Sequence, residues 1–303
     1  MDGGSRAYRL GKEEAPSEGL ERIARGRINH ALDELRDDGS DTVAESVHEA
    51  RKDLKKLRAV LRLVRGELDE AIYRRENERF RNAGRLLAGA RDAEVKLKTL
   101  DALTAGDGHV PPKAVLRKYV EALQSEREGR VDVSEELEGA ASEIEAGAAA
   151  VGSLNLSTDS WDLVGPGLGR AYRRGRNRFR DARRDPSVEA VHEWRKRVKD
   201  LWYHLRILNP IWPEVLGETA NQAHALSELL GDHHDLAVLA EDARGRADDF
   251  NSSADLAALL AAIERRQAGL FQDASALGAR LYAEKPTSFV DRLERYWSAW
   301  RAA

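Results

Sequence analysis

VHEARKDLKKLRAVLRLV, residues Val47–Val64, is the stretch whose reading decides the fold. Val47, Ala50, Leu54, Leu57, Leu61 and Val64 step by three and four, the period of one helix face, and predict a buried apolar stripe. His48, Arg51, Lys55, Arg58, Arg62 and Arg65 follow the same rhythm one residue later, an offset of about 100° around the helix. A basic stripe therefore runs beside the buried one, its cations roughly 5 Å apart along the axis. Between Val47 and Arg65 stand seven Lys or Arg and two acids. Solvated helices mix their signs, with Glu four residues before Lys. Here like charges are aligned, and an anion of many charges would relieve their repulsion.

The stretch recurs as VHEWRKRVKDLWYHLRIL, Val191–Leu208, 144 positions later (47 to 191). His48, Glu49, Arg51, Lys52, Lys55 and Arg62 match His192, Glu193, Arg195, Lys196, Lys199 and Arg206. The apolar stripe returns as Val191, Trp194, Val198, Leu201, Leu205 and Leu208. The copy departs at two positions, where Lys56 becomes Asp200 and Arg58 becomes Trp202. A repeat that keeps both apolar and charged positions marks a duplicated unit.

The chain has 303 residues, 42% hydrophobic and 34% charged, which suits a helix-rich protein of two domains or one duplicated domain. No apolar run reaches the length of a membrane span, and the opening MDGGSRAYRLGKEEAPSEG lacks a signal peptide's apolar centre, so a cytoplasmic location is expected. Cysteine is absent, which excludes disulfides, thiolate metal sites and a Cys nucleophile. The net charge of −4 conceals an uneven distribution. Val131–Gly169 holds eight acids and no Lys, Arg or His, so the remainder is +4.

Residues 1–16 read as a loose tail. A first bundle is expected over 17–130. Its first helix carries Arg22, Arg25, Arg27 and His30 around Gly26. The Val47 helix follows, capped by Asp41 or Thr42. A third helix, Ala71–Ala105, centres on LLAGARDAEV, and a fourth starts near Lys113. Residues 131–166 read as an acidic linker. The second bundle, 167–303, repeats the order. GLGRAYRRGRNRFRDARR, Gly167–Arg184, holds eight Arg from Arg170 onward and an apolar stripe of Leu168, Tyr172, Gly175, Phe179 and Ala182. It matches the first helix, with Gly175 and Arg176 against Gly26 and Arg27. LLGDHHDLAVL, Leu229–Leu239, places Asp235 against Asp92. No strand pattern is present. The expected fold is all-α: two four-helix bundles related by a pseudo-twofold around a central basic channel.

His48 and His192 head the two basic stripes. Each reads either as a phosphate donor titrating near neutral pH or as a capping or packed histidine. His233-His234-Asp235 invites a metal reading, but adjacent residues point to different sides of a helix, and the first copy has Ala90-Arg91-Asp92. No metal or cofactor is expected. Asp92 and Asp235 read as acceptors that orient Arg and His side chains, or as structural ion pairs. Most Trp residues fall on apolar stripes and are expected in the core. No nucleophile motif, Gly-rich phosphate loop or carboxylate cluster is present, so a binding protein is expected and not an enzyme.

V-H-E-x-R-K-x-x-K in both halves (Val47–Lys55, Val191–Lys199) resembles the CHAD family. So do the Arg-rich R-x-x-R-R-G-R helix (Arg170–Arg176), its copy at Arg22–Arg27, and the L-L-x-x-x-x-D segments Leu86–Asp92 and Leu229–Asp235. The resemblance runs from about Leu20 to Arg301 and leaves no room for the triphosphate-tunnel domain to which CHAD domains are often fused. It implies a helical domain that binds inorganic polyphosphate through a basic channel and locates at polyphosphate granules. The residues it implies as ligands are His48, Arg51, Lys52, Lys55, Arg58 and Arg62; Arg170, Arg173, Arg174, Arg176 and Arg180; His192, Arg195, Lys196, Lys199 and Arg206; and Arg22 and Arg27. Two alternatives stand beside it. One is a nucleic-acid binder, since phosphate tracks also attract DNA and RNA. The other is a phosphohydrolase working through His48 or His192.

Overall fold

The computed structural model describes residues 7–36, 42–88, 92–106, 111–112, 114–128, 133–151 and 156–303. Among them all regular structure is helical. The helices are α1 (Pro16–Arg36), α2 (Val43–Leu63), α3 (Glu70–Leu86), α4 (Asp92–Ala105), α5 (Arg117–Glu128) and α6 (Ser134–Val151) in the first half. The second half holds α7 (Gly165–Arg184), α8 (Val188–Leu208), α9 (Pro213–Gly245), α10 (Ser253–Leu281) and α11 (Pro286–Ala302). None is long and apolar enough to cross a membrane, among the described residues.

The central helices start where local chemistry lets them. Thr42 caps α2, its hydroxyl accepting from the Glu45 N–H while the Glu45 carboxylate accepts from the Thr42 N–H, a reciprocal capping box. Asp41, the other expected cap, lies outside the described residues. Ser187 caps α8 by accepting from the Ala190 N–H. Both apolar stripes are fully buried, from Val47 to Val64 and from Val191 to Leu208.

The cores do not divide at the boundary between the repeats. One core joins α1, α2, α3 and α6 to α7, α8, α11, the first half of α9 and the end of α10. A second core joins α4 and α5 to the far part of α9 and the near part of α10. The two halves therefore share one core, with a smaller arm beside it, and the cores do not by themselves mark off the two expected four-helix bundles. Helix length is the reason. At 33 residues α9 is roughly 50 Å long and passes through both cores. In the first half the matching chain is split: α3 ends at Leu86 and α4 begins at Asp92, where one helix from Ala71 to Ala105 was expected. Gly89, Ala90 and Arg91, at the centre of LLAGARDAEV, lie outside the described residues.

Two boundary expectations also change. The acidic segment expected as a linker contributes α6, which packs on α1 and α3 and buries Ala140, Ile144 and Val151 there. Glu145 pairs with Arg36. Residues 7–15, expected as part of a loose tail, are tied down. The Leu10 N–H donates to the Ile207 carbonyl at 3.0 Å, the Tyr8 hydroxyl to the Lys56 carbonyl at 3.1 Å, and Arg301 to the Lys12 and Glu14 carbonyls.

The start of α7 lies directly on the end of α2. A methyl group on Gly167 would stand 1.8 Å from the Leu63 carbonyl oxygen, which is backbone and cannot swing aside. Gly167→Ala is expected to lower the unfolding free energy by about 1–3 kcal/mol, the range for overpacking. Gly269, inside α10 with nothing within 4 Å of an added methyl, is the control. Gly269→Ala should leave stability unchanged or raise it by up to about 1 kcal/mol. Urea denaturation of the two variants checks both signs.

Candidate functional site

Helices α2, α4, α8, α9 and α10 surround an open cleft of about 820 Å³. The middle of α2 supplies His48, Arg51, Lys52, Lys55 and Lys56, and α8 supplies Arg195, Lys199, Trp202, Tyr203 and Arg206. From α4 come Asp92, Lys96 and Lys98; from α9, His224, Glu228, Asp232, His234 and Asp235; from α10, Arg266. Ten Lys or Arg side chains face four carboxylates, a net of six positive charges with the histidines neutral.

Each cation is positioned by its own helix and a neighbour. Arg51 Nη1 donates to the Leu87 and Ala88 carbonyls, both at 3.3 Å, at the end of α3 where carbonyls lack helical partners. Lys56 reaches Asp53 at 2.7 Å, and Lys96 reaches Asp242 at 2.6 Å. The Arg206 guanidinium lies 5.3 Å from the Trp202 ring centre and 5.4 Å from that of Tyr8. Arg195 lies along α9 at Gly231, where an added methyl would meet its Nε at 3.4 Å. That Nε is shut off from solvent without a hydrogen-bond partner.

Burial and crowded charge shift several titratable groups of the cleft. Burial, and then repulsion from Arg195, pushes the Lys199 ammonium down to about 8, against the pull of Glu228 and Asp235. Burial raises the Asp235 carboxyl even with Arg195, Lys199 and Lys55 beside it. Burial also raises Asp232, with Asp235 and Glu228 adding to the effect. The His192 and His234 rings stack with centres 4.2 Å apart, and burial holds both near 4. His192 is therefore neutral near pH 7, unlike the tunable donor that its position suggested.

The sequence-derived residues divide among several places. His48, Arg51, Lys52, Lys55, Arg195, Lys199 and Arg206 line the cleft, and Asp92 and Asp235 join them. His192 reaches it only through His234, and Lys196 pairs with Glu193 at 2.6 Å. The Arg-rich helix does not complete the channel expected of it. Its apolar stripe turns toward α8, α10 and α11, with Phe179 on Trp194 and Tyr172 stacked on Phe289. Arg170 and Arg174 instead line a separate, smaller cleft with Arg62, and Arg58 donates to Asn77 beside α3. Arg173 is exposed, Arg180 donates to Asn177, and Arg176 Nε donates to the Tyr282 carbonyl at 3.1 Å. Arg22 holds Glu14 and the Ala7 and Arg9 carbonyls; Arg27, buried, pairs with Asp53 at 3.1 Å. Both are structural ties, and Arg27 meets the cleft wall only through Asp53 and Lys56.

His233 and His234 diverge, as helix geometry requires: His233 is buried while His234 lines the cleft. Among the described residues no group of three His, Asp or Glu is placed to hold a metal ion. Several lining residues escaped the sequence reading. Lys96, four residues after Asp92, shares its helix face, and that spacing was the available signal. Lys56, Lys98 and Arg266 gave none beyond their charge. Trp202 packs partly buried against the main core and also lines the cleft, its ring stacked on His224 with centres 4.3 Å apart.

The titration of Lys199 is directly testable. Lysine side-chain NMR of the whole protein should show one ammonium with a midpoint near 8. Arg195→Gln should move it upward by removing a like charge, and Asp235→Asn downward by removing an opposite one. A lysine set that titrates entirely near the ordinary value would contradict this account of the cleft.

A family model described as CHAD domain matches residues 22–244. No curated protein matches the chain. The fold is similar to the crystal structure of the CHAD domain from the plant Ricinus communis, with a TM-score of 0.67 and 18% identity, over 93% of this chain and 96% of that one. It is also similar to PptA from Streptomyces chartreusis, with a TM-score of 0.64 and 15% identity, over 89% of this chain and all (100%) of the other. The family match spans both VHE helices, the Arg-rich helix and most of the cleft, and on that match the chain belongs to the CHAD domain family.

Proposed function

We propose that this chain binds inorganic polyphosphate in the cleft, as a binding protein located at polyphosphate granules and not as a catalyst. The observation that carries the reading is the excess of six positive charges on five helices around one open cleft. A polyphosphate chain is linear and flexible, carries about one charge per unit and presents no base edges. A receptor for it needs cations at short intervals on more than one wall. Arg51 and Arg195 supply forked donors to phosphate oxygens, and Lys55 and Lys199 supply point charges. The chain would also supply a counter-charge to Lys199, which burial, and then Arg195, holds down. Membership of the CHAD family supports the same ligand, through the family's association with polyphosphate.

Single-stranded nucleic acid is the second reading, favoured by one feature: Trp202, Tyr203 and His224 place rings in the same cleft, where bases could stack. Competition between polyphosphate and single-stranded RNA separates the two. Polyphosphate should displace RNA, and Trp202→Ala should leave polyphosphate affinity within about threefold, since one stacked base is worth about 1–3 kcal/mol only to a ligand that has bases.

Lys55→Ala with Lys199→Ala is the direct test. Polyphosphate affinity should fall, and the slope of its logarithm against log salt should flatten by at most about two units, because two phosphate contacts are lost. Helicity should be retained. Unchanged affinity with lost helicity would make the stripe structural and end the binding assignment.

A pH effect follows from Lys199. Bound phosphate should raise its pKa, so binding takes up a proton once the pH exceeds the free value near 8. Affinity is then level below that pH and declines above it. In Lys199→Arg, where the charge persists, calorimetry in buffers of different ionisation enthalpy should register no such uptake.

A further inference from the structure

One lysine of the cleft differs from its neighbours. Lys52 pairs with Glu49 and Lys56 with Asp53, each at 2.7 Å, and Lys96 pairs with Asp242 at 2.6 Å. In each pair the carboxylate favours the charged ammonium. Lys199 is half-buried on the cleft wall and forms no ion pair or hydrogen bond among the described residues. Glu228 and Asp235 of α9 act on it through their charge alone.

Arg195 stands four residues earlier on the same face of α8, about 6 Å along the axis. Its guanidinium likewise forms no ion pair or hydrogen bond among the described residues. Burial, and then Arg195, lowers the Lys199 ammonium to about 8. Near neutral pH its share of free amine is roughly 300 times that of a lysine at the ordinary value. A desolvated amine beside a second cation is a nucleophile.

A reagent that reaches this amine must satisfy two conditions. It must be an anion, because the cleft carries an excess of six positive charges. It must also present an electrophilic carbon. An acyl phosphate meets both, and its anionic part is the leaving group. The Arg195 fork can take the phosphate oxygens and stabilise the charge that grows there as the phosphate departs.

We infer that Lys199 is a site of covalent acylation by small acyl phosphates, with Arg195 holding the phosphate. The neutral Nζ attacks the carbonyl carbon. A C–N bond forms, and the C–O bond to phosphate breaks. Inorganic phosphate leaves with that electron pair, and the surplus proton on nitrogen passes to water. The product is an uncharged amide, so the cleft loses one positive charge. The inference goes beyond the binding reading and needs no polyphosphate, since it rests on one amine, one guanidinium and the charge of the cleft.

The full chain is incubated with millimolar acetyl phosphate at neutral pH, and acetylation of each lysine is followed by peptide mass spectrometry. Lys199 should react at least about tenfold faster than Lys118, which is exposed on α5. Its rate should climb with pH and level off above about 8. N-acetoxysuccinimide, an uncharged acyl donor, probes the amine without the phosphate contact. Excess inorganic phosphate should slow labelling of Lys199 by acetyl phosphate and leave its labelling by N-acetoxysuccinimide unchanged. Arg195→Gln, checked for retained helicity, should slow the reaction with acetyl phosphate more than that with the uncharged donor. Lys199 reacting with acetyl phosphate no faster than Lys118 would overturn the site. Fast labelling by both donors with no competition from phosphate would overturn acyl phosphates as its reagents. Polyphosphate affinity is read separately, in Lys55→Ala/Lys199→Ala, so either conclusion can fail alone.

Discussion

Two rows of cations are held face to face because the residues one position earlier on each helix are buried. Val47, Ala50, Leu54, Leu57 and Leu61 fix the rotation of α2, and Val191, Trp194, Val198, Leu201 and Leu205 fix that of α8. Each buried Leu or Val contributes about 1.5–3 kcal/mol. Two like charges about 10 Å apart, at the effective dielectric of a protein surface, repel by roughly 1.7 kcal/mol. Several buried residues on each stripe outweigh one such pair; burial also marks the cleft locally, lowering Lys199 with Arg195 adding to the effect and raising Asp235 against the pull of Arg195, Lys199 and Lys55. Everything proposed for the cleft depends on that imbalance.

The second arginine of each Arg-Gly-Arg repeat is engaged in contacts that hold the fold together. Arg27 is buried against Asp53, which also meets His30 at 2.6 Å and Lys56 at 2.7 Å. At the matching position Arg176 holds the Tyr282 carbonyl. Gly175 exists for contact: an added methyl would stand 2.2 Å from the Tyr282 hydroxyl. A guanidinium this deeply engaged cannot also follow a mobile anion, because breaking a buried pair by removing one partner costs about 3–5 kcal/mol.

The arm built from α4, α5 and the far parts of α9 and α10 closes one side of the cleft. Its charges are set by a network in which Lys96 meets Asp242 and Glu126, Tyr119 donates to Asp242 at 2.8 Å, and Arg246 joins both acids. The departures between the repeats matter here. Trp202, in place of a second Arg58, brings a ring to the cleft. Asp200, in place of a second Lys56, pairs with Arg62 at the smaller cleft.

Periodicity alone settled the all-helical fold, the duplicated VHE helix, both buried stripes and the row His48, Arg51 and Lys55 with Arg195, Lys199 and Arg206, because a helix converts spacing into a face without help from elsewhere. The cap at Thr42, one of the two residues the sequence offered, is local too and was legible for the same reason. Which faces meet is not a local property. Tertiary structure decided that α7 lies on the far side of α8, that α6 belongs to the core and not to a linker, and that Lys96, Lys98 and Arg266 enter the cleft. It also decided that Arg58, Arg62, Arg170 and Arg174 leave it. Those outcomes depend on how far α9 extends, where α3 gives way to α4, and which of several equally basic faces lies beside the larger apolar area. A sequence records charge and period, but the partner of each face is fixed only when the whole core closes.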